Sequence, residues 1–380
     1  LNNKEEHAVI SNHLATAAAS ILLWEKITGK HNEKYKNVLD LIYKNQSDEG
    51  WYLEYEGPDH GYQTLCVHYL SIIYNKTKDP ILKLSLEKSF NYLYHFVHPD
   101  GTIGGLYGSR NTELIYPGGI SILRDISEYA FCCWVYLDNG IKKNMSLFPQ
   151  DVDSDNYVPL LNSFALAALN EKKGKELNLL RPYYSLKQKL DFKECGIQLF
   201  SNENYFSILN YKKGGTLKVY DITEKKCVYD SGGLIYFKSN EVLTTQSYDR
   251  SIQIDENGTF STYLYKYNER FPSLYHTILI RIMSMTIFNI HFFRELFKRV
   301  VVKSLITKKN KTNIRVSVNV SYHPNTLIIR YNFKEIINNK KLVFNKKFKT
   351  IHMASSGYLN KSNIDKSNMK YVKVMIIQQI

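Results

Sequence analysis

From Glu5 to about Glu171 the apolar positions recur with a helical period, and after about Leu180 the period falls to two. Glu5–Thr28 repeats at helical spacing through Val9, His13, Ala17, Ser20, Leu23 and Trp24, and Gly29 stops it. The segments Asn32–Asn45, Gly61–Tyr74, Ile81–Val97, Ile120–Leu137 and Val158–Leu169 continue the pattern. Their connections alternate between short loops and long ones rich in Gly and Tyr.

Two of the long loops resemble each other. Residues 46–63 read QSDEGWYLEYEGPDHGYQ and residues 97–119 read VHPDGTIGGLYGSRNTELIYPGG. Each has an acid-Gly step (Glu49-Gly50, Asp100-Gly101), a Tyr-bearing extended run, and then a new helix. The 51-residue offset suits one helical hairpin plus its loop, which predicts stacked helix pairs that bury their apolar faces on their neighbours. The expectation is an incomplete (α/α) toroid over residues 1–175, with the long loops gathered at one end.

Residues 176–380 read as a second domain. Short β-rich runs at Gly196–Phe200, Tyr205–Tyr211, Thr216–Asp221, Gly233–Lys238 and Val242–Tyr248 are separated by Gly-Gly, Asn and Asp signals. Thr259–Tyr267, Asn313–Tyr322 and Thr326–Asn332 extend the set, which predicts an antiparallel β-sandwich. Ser273–Thr307 interrupts it as an apolar and basic stretch, expected as a helical excursion packed on the sheet. The fold class is thus α+β and multidomain.

Composition changes this picture in three ways. The apolar content of 44% and charged content of 23% describe a globular protein, and no apolar run is long enough to cross a bilayer. The five Cys residues show no metal spacing, and Cys132 and Cys133 read as core. The net charge of +14 is uneven: residues 1–150 carry 14 Lys and Arg against 17 Asp and Glu, whereas residues 293–349 carry 15 against 2. A block of that sign attracts polyanions, or forms a solvated face. No signal-peptide succession is visible at Leu1, and the start of the helical domain is expected to be missing.

Candidate chemistry lies in three places. Asn12 and His13 are poor helix formers set beside Ala-rich positions that would pack without them. In the loop Glu54–Gln63, Tyr62 enters the first turn of a helix, where negative charge is stabilised, and Glu54 and His60 lie close by in sequence. In Tyr107-Gly108-Ser109-Arg110-Asn111-Thr112, small residues flank an Arg, the natural partner of a carboxylate or sulfate.

Asn12-His13 followed by Asp48, Gly50, Glu54 and Tyr62, together with the later YFSILNYKKGGTLKVYD at Tyr205–Asp221, resembles the heparinase II/III-like polysaccharide lyases and alginate lyases. The resemblance covers essentially the whole chain. It implies β-elimination on a uronic-acid polymer: Asn12 and His13 neutralise the substrate carboxylate, and Tyr62 serves as base and then acid. Arg110, Tyr107, Glu54, His60 and Asn111 are expected to contact substrate. The Tyr hydroxyl, with an unperturbed pKa near ~10, then needs help from His13, Arg110 or the helix terminus. Family members also use a His from an early sandwich strand, yet this chain has none between His98 and His276. His60 or Arg110 is the expected substitute. A structural metal common in the family's sandwich lacks a His/Asp cluster here, so no metal and no cofactor is expected. The family favours a periplasmic or secreted setting.

Three rivals stand beside the lyase. A uronate C5-epimerase shares the same proton abstraction. A non-catalytic acidic-polysaccharide-binding protein explains the charge and the 30 Tyr residues equally well. A glycoside hydrolase would need two carboxylates, for which Glu54, Glu56, Asp59 and Glu113 are the candidates. Nucleic acid is not an expected partner, because the basic block carries no reader motif.

Overall fold

The structure is a computed structural model, and it describes residues 10–30, 33–171, 175–238, 241–267, 274–287, 290, 309–335, 337–344 and 369–378. Among the described residues seven α-helices come first: α1 (Ser11–Thr28), α2 (Lys34–Lys44), α3 (His60–Thr77), α4 (Pro80–His95), α5 (Pro117–Ile122), α6 (Glu128–Lys142) and α7 (Ser154–Asn170). The helices fall into two rows. α1, α3, α5 and α7 neighbour one another in turn, while α2 packs on α1 and α4 packs on α6.

The internal repetition is visible in the backbone. Ser47 donates to the Trp51 carbonyl at 2.9 Å, and 51 residues later His98 donates to the Thr102 carbonyl at 2.9 Å. Gly50 closes a turn on the Ser47 carbonyl, as Gly101 does on that of His98. Both glycines have positive φ (+99° and +80°), and a Cβ on either would strike the backbone of the next outer helix, α4 or α6 respectively. Glycine is required there twice over, by conformation and by contact.

Helix α1 departs from its expected face. The buried stripe is Ala15, Ala18, Ala19 and Leu22, not the series through His13, Ser20 and Leu23, and Trp24 is 64% exposed. Small side chains win the buried face because they let α2 and α3 approach closely. The Ile120–Leu137 segment is also two helices rather than one. The chain breaks at 123–127, and Ser127 restarts it by capping Ala130 N.

After irregular residues 175–188, two sheets follow. The first is a meander in the order β1-β2-β3-β4-β5, comprising β1 (Lys189–Phe192), β2 (Ile197–Ser201), β3 (Tyr205–Asn210), β4 (Thr216–Asp221) and β5 (Lys226–Ser231). The second has the order β11-β6-β7-β8-β9-β10-β12. It is built from β6 (Ile235–Lys238), β7 (Glu241–Thr244), β8 (Thr259–Tyr267), β9 (Lys311–Tyr322), β10 (Leu327–Phe333), β11 (Leu342–Val343) and β12 (Val372–Gln378). The expectation of a wholly antiparallel sandwich needs one correction: β12 pairs with β10 in parallel.

Alternation along the first sheet explains its position. Phe206, Ile208 and Tyr220 point into the helical core, whereas Tyr205, Leu209, Leu217 and Val219 point into the core shared with β8, β9 and β10 of the second sheet. The first sheet is therefore buried on both faces and joins the helices to the second sheet. Helix α8 (Leu274–Met285) lies in the expected excursion, but its Leu274, Tyr275 and Ile282 are exposed rather than packed on the sheet. The remainder of that stretch, and residues 293–308, 336 and 345–349 of the basic block, fall outside the described residues. Among the described residues no helix is long and apolar enough to cross a membrane.

Candidate active site

The three segments singled out by sequence meet at one buried carboxylate, that of Glu54. Helix α1 begins at Ser11, so Asn12 and His13 stand in its first turn rather than in mid-helix. First-turn N–H groups have no acceptor within their own helix. Here the loop before α3 supplies them: Ser11 N and Oγ donate to the Leu53 carbonyl, and Asn12 N donates to Glu54 Oε1 at 2.9 Å. Asn12 Nδ2 completes the grip on Glu54 Oε2 at 2.8 Å. Glu54, 42 positions after Asn12, thus caps the start of α1, where a negative charge is favoured.

The third segment brings Arg110. Its Nη1 lies 3.4 Å from Glu54 Oε2, and its guanidinium carbon sits 4.2 Å from the Tyr62 ring centre and 4.9 Å from that of Tyr55. Burial pushes the Glu54 carboxyl up to about 7, and the opposing pull of Arg110 and the Asn12 amide does not cancel it. His13 is exposed at the end of the helix. Partial desolvation, reinforced by the Arg110 charge, holds its imidazole below the usual histidine range.

Asp59 fixes the relation between the two long loops. Its Oδ1 caps α3 by accepting from Tyr62 N at 3.1 Å, and its Oδ2 accepts from Arg110 N at 2.9 Å and Thr112 N at 3.3 Å. One buried carboxylate thereby sets the backbone positions of both Tyr62 and Arg110.

Other residues expected to touch substrate are placed elsewhere. His60 is buried among Tyr92, Phe96 and Tyr107, donates or accepts at the Tyr92 hydroxyl at 3.0 Å, and is held down to about 3 by burial. The Tyr107 hydroxyl lies 2.7 Å from His98 Nε2 and accepts from Gly104 N at 2.9 Å. Asn111 is buried and its Oδ1 accepts from Lys213 Nζ. All three are scaffold in this geometry and face no open surface. Asn12 is committed as well, since its amide donates to Glu54 and 2% of the residue is exposed.

The sandwich contributes residues that the sequence reading passed over. Lys213, at the β3–β4 turn, is buried and donates to the carbonyls of Leu106 (2.8 Å) and Gly108 as well as to Asn111. Asn210 Nδ2 donates to the Tyr107 carbonyl at 2.8 Å, and Tyr220 OH meets His98 Nδ1 at 2.9 Å. Arg250 donates through Nε to the Glu56 carbonyl at 2.6 Å, while Lys309 Nζ pairs with the Glu56 carboxylate at 2.6 Å. The Lys-Lys-Gly-Gly sequence at 212–215 was the available signal, because a glycine turn projects its preceding residue from the sheet end.

Among the described residues no group of three or more His, Cys, Asp or Glu is placed to hold a metal. Cys66, Cys132, Cys133 and Cys195 are buried free thiols. No protein-family model and no curated protein sequence matches the chain.

Proposed function

We propose that this chain is a heparinase II/III-like lyase that cleaves a uronic-acid-containing polysaccharide by β-elimination, its helices forming an incomplete α/α toroid. The observation that carries the reading is the convergence of Asn12, Glu54, Tyr62 and Arg110, from three separate segments, beside the exposed His13. A structural role alone accounts for Asn12 and Glu54. It leaves unexplained why a guanidinium is laid on the ring of a tyrosine that enters a helix.

The chemistry divides as follows. Arg110 lays a fixed positive charge over the ring of Tyr62, the proposed base. The Tyr62 oxygen takes the proton from C5 of the uronate. The electron pair left behind forms the C4=C5 double bond as the C4–O glycosidic bond breaks, and the departing oxygen recovers the proton from Tyr62. His13 and Arg110 stabilise the carboxylate while negative charge builds on it. Asn12 acts through Glu54, as a positioning residue. Substrate approaches from the His13 and Tyr55 side, because Tyr62 and Arg110 are each nearly covered.

The four acids that kept a hydrolase in view do not form a flanking pair. Glu54 is held by Asn12 and Arg110, Asp59 by backbone amides, and Glu56 by Lys309, while Glu113 stands with Lys218. A C5-epimerase shares every proposed step except bond cleavage. Incubation with polyuronates in heavy water separates the two: deuterium at C5 of intact polymer identifies the epimerase, whereas an unsaturated chain end identifies the lyase. Neither product would reject both and leave a binding protein.

A further inference from the structure

On the outer face of the second sheet the segment 249–255 stands beside β8 and β9 and borders an open cavity of about 630 Å³. Its floor is formed by Tyr263 and Arg315, which face each other across the strand pair, and by Lys311, whose ammonium lies 3.5 Å from the Tyr263 ring centre. Asp249, Gln253 and Asp255 line the wall.

The charges there are mixed in a specific way. Among the described residues, neither Lys311 nor Arg315 forms an ion pair with a carboxylate. Each acid, by contrast, has one oxygen occupied by its own turn: Asp249 Oδ1 by Ser251 N and Oγ (3.0 and 2.6 Å), and Asp255 Oδ1 by Thr259 N (2.7 Å). The second oxygen of each acid remains as an acceptor with nothing donating to it among the described residues. Two cations and an aromatic ring on the floor, with carboxylate acceptors on the wall, match a sugar that carries both an anionic group and several hydroxyls. A bare polyphosphate strand would meet the two carboxylates unfavourably.

We infer that this cavity is a second binding site for an acidic sugar residue, taking the anionic group on Arg315 and Lys311 and hydroxyls on Asp249 and Asp255. Its position joins it to the candidate active site. The chain that walls the cavity continues directly from Arg250, which is bonded to the Tyr55 and Glu56 carbonyls of the Glu54 loop. One polymer chain held at both places is thereby fixed against sliding. The identity of the polymer rests on the function proposed above; the binding itself does not require turnover.

The test uses the full chain, with polygalacturonate and alginate oligosaccharides as probes in calorimetric titration at low salt. Lys311→Ala combined with Arg315→Ala is expected to weaken binding about tenfold or more, and Arg315→Glu alone to weaken it comparably. Both sites are exposed, and unchanged melting temperatures would show that the variants fold. Unchanged affinity in both cavity variants would overturn the inference while leaving the lyase proposal intact. Loss of binding in the cavity variants, with no turnover of any polymer by the parent, would sustain the inference and reject the lyase. Equal weakening toward single-stranded DNA would show an unselective cationic patch and also overturn the assignment.

Discussion

Asn12 holds Glu54 by both of its nitrogens, the backbone amide on one carboxylate oxygen and the side-chain amide on the other. This clamp ties the first turn of α1 to the loop before α3, and it presents the carboxylate to Arg110. The cluster therefore depends on a group whose ionisation is set by burial.

Glu54 makes stability pH-dependent in a definite direction. Its carboxyl is raised from 4.5 to about 7 in the folded chain, so the folded state binds the proton more tightly than the unfolded one. The stabilisation is complete below about pH 4.5 and is lost as pH rises through about 7, amounting to roughly 3 kcal/mol at about 1.4 kcal/mol per unit. Thermal melts between pH 4.5 and 8 should show the parent losing stability relative to Glu54→Gln. Parallel curves would remove Glu54 as the titrating group.

Arg110 is the only cation within ion-pair distance of Glu54 among the described residues. Arg110→Ala leaves a buried carboxylate without its counter-charge, and a loss of about 3 kcal/mol in urea denaturation is expected. Arg110→Lys keeps the charge but not the planar contact with Tyr62 and Tyr55, so its loss should be intermediate. A cost below about 0.5 kcal/mol for the Ala variant would mean that the pair is not formed.

His13 gives a spectroscopic reading of the same charge. Its imidazole titrates below the usual histidine value because of desolvation first and Arg110 second. Proton NMR titration should place it below 6.5 in the parent and higher in Arg110→Gln. An unchanged His13 titration would separate His13 from Arg110.

Lys213 joins the sandwich to the Arg110 loop through three oxygen acceptors. Lys213→Met should cost about 2–4 kcal/mol, since a buried charge–acceptor cluster is broken. It should also expose residues 104–112 to proteolysis. Protease resistance equal to the parent would place the loop's support elsewhere.

Much of this architecture was legible because it rests on local signals. The acid-Gly steps at 49–50 and 100–101 mark turns that recur with the same hydrogen bonds, and the β8 run Thr259–Tyr267 was readable to the residue. What stayed hidden depends on long-range contact. The burial of Ala15 and Ala18 instead of Leu23 follows from how closely two other helices approach, which α1 alone does not encode. β12 adds in parallel from far along the chain, and no turn announces it. His60, Tyr107 and Asn111 have the chemistry of ligands, yet each is consumed by a partner at large separation: Tyr92, His98 and Lys213 in turn. That Asn12, Tyr62 and Arg110 belong to one site was an implication of the family resemblance alone. That a carboxylate joins Asn12 to Arg110 was not anticipated.

The most direct test of the central proposal follows ultraviolet absorbance of the unsaturated uronate when the purified chain is mixed with a panel of polyuronates. Absorbance should rise with at least one polymer for the parent and fall at least a thousandfold in rate for Tyr62→Phe, whose melting temperature stays within a few degrees of the parent. A rising signal that Tyr62→Phe leaves unchanged would contradict the assignment of Tyr62, and a flat signal on every polymer would contradict the lyase itself.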